Sequence, residues 1–259
     1  ARPELLHTYS EERQVVAQEL IDFDREWARM FSDRPRHEEE GGAAAGVDPK
    51  AFQAYFEQHG RFTAGVGTHY RPSLICGEST HQNLATGFVI GTRLHSAPVL
   101  RVSDARPVHL GHAGKADGRW RLYAFAGAND LQDRQAGIHA LCEFLSQSHD
   151  SPVRRHTRPG QDVDAVFDVL AIFQQRYTEV AIDRLPGLLL PPKGRFGLRD
   201  YEKVFCPDFK HGPDVFDLRG IDRAQGALVV VRPDQYVAHV LPLAAHAELA
   251  AFFRRFMLD

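Results

Sequence analysis

Between Leu5 and Met30, apolar residues recur every three or four positions, at Leu5, Tyr9, Val16, Leu20, Phe23, Trp27 and Met30, with Arg13 inside the run. That period places them on one face of a single helix. Pro3 suits the first turn, where its missing N–H is not needed. The pattern predicts a helix to about Phe31, roughly 40 Å long at 1.5 Å rise per residue. Nothing that immediately follows is able to cover so long a stripe, so the stripe must lie against something else. Glu12 and Arg13 sit in its middle and leave two readings open, a polar contact to a neighbouring element or a solvated face. Residues 33–47 carry a proline, a glutamate run and Gly-Gly-Ala-Ala-Ala-Gly, and read as a linker. Asp48-Pro49 then signals an N-cap and first-turn proline for a short helix to Gly60, bearing Phe52, Tyr55, Phe56 and His59.

From Arg61 to Leu110 the chain is rich in Gly, Thr, Ser and Pro, with short β-runs at 88–90 and 98–102. This predicts extended structure wrapped over another surface. The period then changes. Asp117-Gly118 is a turn, Arg119 to Ala126 a strand, and Asn129/Asp130 the cap of a helix carrying Ile138, Leu141, Cys142 and Leu145. Ala165 to Phe173 is nearly continuous in apolar residues, which suits a strand buried on both faces. A less regular segment runs from Tyr177 to Phe209. Gly226-Ala-Leu-Val-Val-Val-Arg-Pro-Asp-Gln-Tyr-Val then reads as a hairpin with an Arg-Pro-Asp turn, followed by an amphipathic helix from Ala244 to Leu258. A βαβ unit followed by ββα is the element order of a thioredoxin-like fold. The expected fold is α/β, with a long N-terminal helix and an extended connection leading into a thioredoxin-like domain. The expected division is a helical segment, 1–60, that packs on a domain outside the chain, and a domain at 61–259 with its core at about 117–259.

Composition narrows the function classes. The 259 residues are 43% hydrophobic and 25% charged, with a net charge of −3, as in ordinary soluble globular proteins. No basic excess marks a nucleic-acid or anionic-membrane surface, and no apolar run approaches the ~20 residues needed to span a bilayer. The three cysteines, Cys76, Cys142 and Cys206, form neither a Cys-x-x-Cys pair nor a zinc spacing, so a reducing, cytoplasmic setting is expected. The chain begins Ala-Arg-Pro without a methionine, which suggests a fragment or a processed product.

Candidate chemistry is thin. A thioredoxin dithiol would lie between the first strand and helix, where the helix N-terminus stabilises a thiolate. That position reads Gly127-Ala-Asn-Asp-Leu-Gln132, without a cysteine. The domain is therefore expected to lack redox activity and to serve as a scaffold, with Cys142 in its core. Gly65-Val-Gly67 lacks a third glycine and a strand–helix setting, and Gly111-His-Ala-Gly-Lys115 is too short for a phosphate loop. Of the fourteen histidines only His109 and His112 lie close together, with no carboxylate at ligand spacing. His69, Tyr70 and Arg71 form a polar cluster that reads as a tunnel lining, a subunit contact or an ordinary loop. Arg232 and Asp234 flank Pro233, where turn formation and a local ion pair suffice to explain them. If the hairpin packs on a partner, Arg232, Asp234 and Tyr236 become interface residues. Phe196, Tyr201 and Phe209 look exposed and fit an interface or a fixed docking equally well.

Several stretches resemble one family. Leu5-Leu-His-Thr-Tyr-Ser-Glu-Glu-Arg-Gln14 and Leu20-Ile-Asp-Phe-Asp-Arg-Glu-Trp27 resemble the long helix that follows the flavin-binding region of FAD-dependent aromatic hydroxylases of the phenol 2-monooxygenase group. Phe62-Thr-Ala-Gly-Val-Gly-Thr-His-Tyr-Arg-Pro-Ser73, His95-Ser-Ala-Pro-Val99 and residues 231–237 resemble the C-terminal region of the same group. The resemblance covers essentially the whole chain. It implies a dithiol-free thioredoxin-like domain that contributes to a homodimer and joins an N-terminal flavin and substrate domain. It also implies hydroxylation of a small aromatic substrate, of the phenol or 3-hydroxybenzoate type, with FAD, NADH or NADPH, and O₂. The family's flavin and phenol-binding motifs match no position here. No catalytic residue, flavin ligand or metal ligand is carried over, and no cofactor is expected in this segment itself. A stand-alone, non-catalytic thioredoxin-like binding or dimerisation module is the alternative.

Overall fold

The computed structural model describes residues 2–32, 49–135 and 137–258. The expected linker at 33–47 and the Asp48 cap lie outside the described residues, as does the side chain of Phe52. Helix α1 spans Leu5–Ser32 and α2 Pro49–Thr63, three residues beyond the expected end at Gly60. The carbonyls of Gly60, Arg61 and Phe62 accept from Ala64, Val66 and Gly65, and Gly65 takes a φ of 69°, which closes the helix. The two helices meet through aromatic rings. Phe23 stacks on Trp27 at 5.7 Å and on Tyr55 at 5.9 Å, and tilts against His59 and Phe62. The covered face of α1 runs through Leu5, Thr8, Glu12, Val16, Phe23 and Trp27. Tyr9 and Leu20, expected on that face, are 70% and 48% exposed, because the Glu12 ion pair described below sets the roll of the helix.

The main sheet is built from β1 (Pro98–Arg101), β2 (Arg106–His109), β3 (Trp120–Phe125) and β4 (Phe167–Ile172), followed by β7, β8 and β9. Helix α3 (Leu110–Ala113) follows β2, and α4 (Gly137–Gln147) and α5 (Pro152–His156) lie between β3 and β4. After β4 comes a separate ribbon of β5 (Pro192–Lys193) and β6 (Leu198–Arg199). The chain returns through β7 (Val204–Cys206), α6 (Val215–Leu218), β8 (Ala227–Val231) and β9 (Val237–Leu241), and closes with α7 (His246–Arg254).

The seven strands lie in the order β2-β1-β7-β4-β3-β8-β9. Within it, β3 and β4 are parallel, β8 is antiparallel to β3 and β9 to β8. With α4 as the crossover and α7 at the end, that is the thioredoxin-like arrangement. The sheet continues on the other side of β4 through parallel β7 and the antiparallel β1–β2 hairpin. Residues 98–109 are thus the edge of this sheet rather than a wrapping over it. Leu100 and Arg101 pair with Cys206 and Phe205, a long-range register that no local pattern announces. Residues 84–97 do wrap, supplying Leu84, Phe88 and Ile90 to the core on one face. The opposite face packs Leu122, Val169 and Val230 against Ile138, Leu141 and Leu145 of α4 and Phe253 of α7.

Asp130 caps α4 from a distance. Its carboxylate accepts from the backbone N–H groups of Gly127 (2.9 Å) and Ile138 (3.2 Å). Gly137 has a φ of 52°, and a Cβ there would meet Asp130 Oδ1 at 2.0 Å, so only glycine fits.

Candidate functional site: an arginine hub and a buried charge cluster

The hairpin turn positions Arg232. Gln235 takes the left-handed conformation, with a φ of 69°, and donates its N–H to the Arg232 carbonyl at 2.9 Å. This turns the guanidinium toward α1, where Nη1 and Nη2 donate to Glu12 Oε1 and Oε2 at 2.5 and 2.8 Å. Nε and Nη2 also donate to Asp234, at 3.1 and 2.7 Å. The guanidinium lies over the rings of Tyr70 (5.2 Å) and Tyr236 (5.7 Å), which stand 4.6 Å apart, and reaches Cys76 Sγ at 3.5 Å. Burial alone would lower the Arg232 pKa, but the two carboxylates outweigh it and raise it. Of the two readings of mid-stripe Glu12, the structure realises the polar contact. Arg232 and Tyr236 are only 7% and 8% exposed and join two elements of one chain, with Asp234 more open at the turn.

The structure brings Tyr70 into this hub but not its neighbours. Tyr70 is buried, and burial, followed by the nearby Tyr236, pushes its phenol up to about 12. His69 and Arg71 are exposed, and His69 Nε2 lies 2.9 Å from the Ile90 carbonyl oxygen.

A second charged cluster was not legible in the sequence, because its members are scattered from 117 to 203. Lys203, immediately before β7, donates to Asp164 at 2.6 Å and to Asp168, and Lys193 also pairs with Asp164. Arg121 Nε lies 3.1 Å from Asp168, and Arg119 and Arg121 both hold Asp117. Burial by itself would raise the Asp164 pKa, but the ammonium groups of Lys193 and Lys203 hold it below the usual carboxylate range. The cluster forms the base of the β5–β6 ribbon. It also borders an open cavity of about 590 Å³ lined by Arg106, His109, His112, Lys115 and Phe205 among others.

Among the described residues, no reactive constellation accompanies these clusters. The three cysteines are free and buried, and burial pushes the Cys142 and Cys206 thiols to about 12, so Cys142 is core as expected. Where a dithiol would sit, Asp130 caps the helix instead. Among the described residues no three His, Cys, Asp or Glu side chains are grouped to hold a metal. No described helix is long and apolar enough to cross a membrane. The glycines of the two candidate phosphate loops have other roles. Gly65 closes α2, and the Gly111 N–H donates to Ser96 Oγ at 2.9 Å.

A family profile described as "Phenol hydroxylase, C-terminal dimerisation domain" matches residues 68–259. The chain belongs to this family. As a phenol hydroxylase C-terminal domain it has close relatives among enzymes. It is 69% identical, over 98% of its length, to 3-hydroxybenzoate 4-monooxygenase of Comamonas testosteroni, and covers 39% of that protein. It is 35% identical over 99% of its length to the FAD-dependent monooxygenase terD of Aspergillus terreus, covering 42% of it. The chain thus spans about two fifths of the length of these curated relatives. The crystal structure of the flavin-dependent monooxygenase PieE, in complex with FAD and substrate, shares the fold. It aligns with a TM-score of 0.52 at 16% identity, over 98% of this chain and 40% of that one. The matched residues begin after α2, so both helices precede the dimerisation domain of the phenol hydroxylase family as its profile bounds it.

Proposed function

We propose that this chain is the C-terminal scaffold and self-association part of a flavin-dependent monooxygenase acting on a phenolic ring. The 69% identity over nearly the whole chain to 3-hydroxybenzoate 4-monooxygenase carries the reading and favours a substrate of that type over phenol itself. When bound, FAD supplies the chemistry that activates O₂, with NADH or NADPH as reductant; a part of the protein outside these residues holds it. In this reading residues 1–60 pack on that flavin part and 61–259 form the C-terminal domain. The flank of α1 that carries Leu6, Tyr9 and Leu20, all exposed, is the surface the flavin part covers. The Glu12–Arg232 pair then holds that helix at a fixed angle to the dimerisation domain. His69 and Arg71, exposed on either side of buried Tyr70, belong to the wall facing the flavin part. The protein forms a homodimer in a reducing cytoplasm.

The test is purification of the gene product that carries this chain. The expected result is a flavin absorbance spectrum and oxidation of NADH or NADPH that depends on 3-hydroxybenzoate and consumes O₂. A colourless protein without turnover of 3-hydroxybenzoate or phenol would sink the reading in favour of a non-catalytic module.

A further inference from the structure

We infer that the β5–β6 ribbon, with Tyr201 just beyond it, is the surface through which this chain meets a second copy of itself. The inference rests on the dimer reading above and adds the surface. Within the residues matched to the dimerisation family, Phe196 (73%) and Leu198 (71%) are the most exposed large apolar side chains, and Tyr201 is 45% exposed. Scattered surface apolar residues are ordinary, but three within six positions, on the ribbon and just beyond it, are not. The Arg195 guanidinium lies over the Phe196 ring at 4.4 Å, and Arg–aromatic pairs recur at interface hot spots.

The ribbon is also held ready for contact. Two residues per strand do not keep a hairpin in shape by themselves. Here the base is pinned: the Gly194 N–H donates to Asp162 at 2.8 Å, the Asp200 N–H to the Pro191 carbonyl at 2.9 Å, and Lys193 pairs with buried Asp164. An apolar tip on a fixed base loses little conformational freedom when a partner covers it.

The sheet edges are poor routes to a dimer. The β9 edge is occupied, since the Gly77 and Gly91 N–H groups donate to the Ala238 and Val237 carbonyls at 2.7 and 2.8 Å. The β2 edge carries Pro107, which cannot donate to a strand ladder, beside exposed Arg106. The closing hairpin is engaged with α1. The occupant is a second copy rather than the flavin part because the ribbon lies inside the family's dimerisation segment and α1 lies outside it. Charge supports this assignment. Arg195 and Arg199 have no ion-pair partner among the described residues, and two carboxylates follow directly: Asp200, 3.7 Å from Lys203, and Glu202, which pairs with Arg101 at 2.9 Å but stays 67% exposed. A two-fold axis at the ribbon would set the cations of one copy against the carboxylates of the other.

Sedimentation equilibrium of the gene product that carries this chain tests the surface. The Phe196→Ser/Leu198→Ser variant and, separately, Arg195→Glu should each weaken dimerisation about tenfold or more, as loss of an interface anchor does. Their circular-dichroism spectra should stay unchanged, because all three side chains are exposed and no buried contact is removed. Tyr177→Ser/Phe209→Ser, at another exposed pair, should leave the dimer as it is. Unaltered dimerisation of both ribbon variants would overturn the surface while leaving the dimer intact. A wild-type protein that is monomeric at every concentration would overturn the dimer reading itself.

Discussion

Asp164 shows how the environment of a single carboxylate sets a pH dependence. It is 3% exposed, and the ammonium groups of Lys193 and Lys203 hold its pKa below the usual range despite burial. A carboxylate depressed in this way contributes stability that is fully present above its unfolded pKa of about 3.9 and is lost as pH falls through the folded value. Asp164→Asn should remove that contribution and leave Lys203 to Asp168 and the more distant Asp200. Breaking a buried pair on one side costs about 3–5 kcal/mol. Urea unfolding at neutral pH should register that loss, and below about pH 4 the variant's stability should fall less steeply with pH than the wild type's. A variant with the wild-type slope would show that Asp164 does not govern acid sensitivity. The residue was invisible in the sequence as a site. Its partners lie 29, 39 and 45 positions away, and nothing local marks an aspartate as buried.

At the scale of elements, the strands with continuous apolar runs were legible. β3, β4, β8 and β9 are covered on both faces, so their composition alone announces them. β1 was legible as a short β-run at 98–102 but its place in the sheet was not, and β2 and β7 were not legible, because each is four residues or fewer and takes its place only by pairing across the chain. Helix α1 was legible in period but not in roll. Pattern alone put Tyr9 and Leu20 inward, whereas the inward positions include Thr8 and Glu12, a choice made by Arg232. The far half of α1 contacts α2 through the rings around Phe23, with no strand behind them. Phe23→Ala should therefore uncouple α2 locally. Hydrogen exchange should show faster exchange across 49–63, with β3 and β4 amides unchanged. Loss of protection in the sheet as well would mean that the two helices belong to the main cooperative unit.

For the molecule as a whole, the sequence carried the thioredoxin-like order of elements and the absence of a dithiol, since both are local. It did not carry the hub. Glu12 and Arg232 are separated by 220 positions, and only the folded chain brings them together. Arg232 and Tyr236, two of the three residues expected at an interface, are buried within the chain. An arginine at a turn reads the same whether its partner is another molecule or a distant helix.

That separation has a kinetic consequence. Closing a loop of this length is entropically unfavourable until the sheet that carries the hairpin exists, so α1 should dock after the rate-limiting step of folding. Removing the contact should then act almost wholly on escape from the native state. For Arg232→Met, a loss of about 3 kcal/mol corresponds to unfolding on the order of a hundredfold faster, with the refolding rate nearly unchanged. Stopped-flow denaturant-jump kinetics on the purified chain would separate the two arms. A slowed refolding arm would place the hub in the folding nucleus. Otherwise the buried arginine acts as a latch, setting how long the first helix stays docked rather than how fast the domain forms.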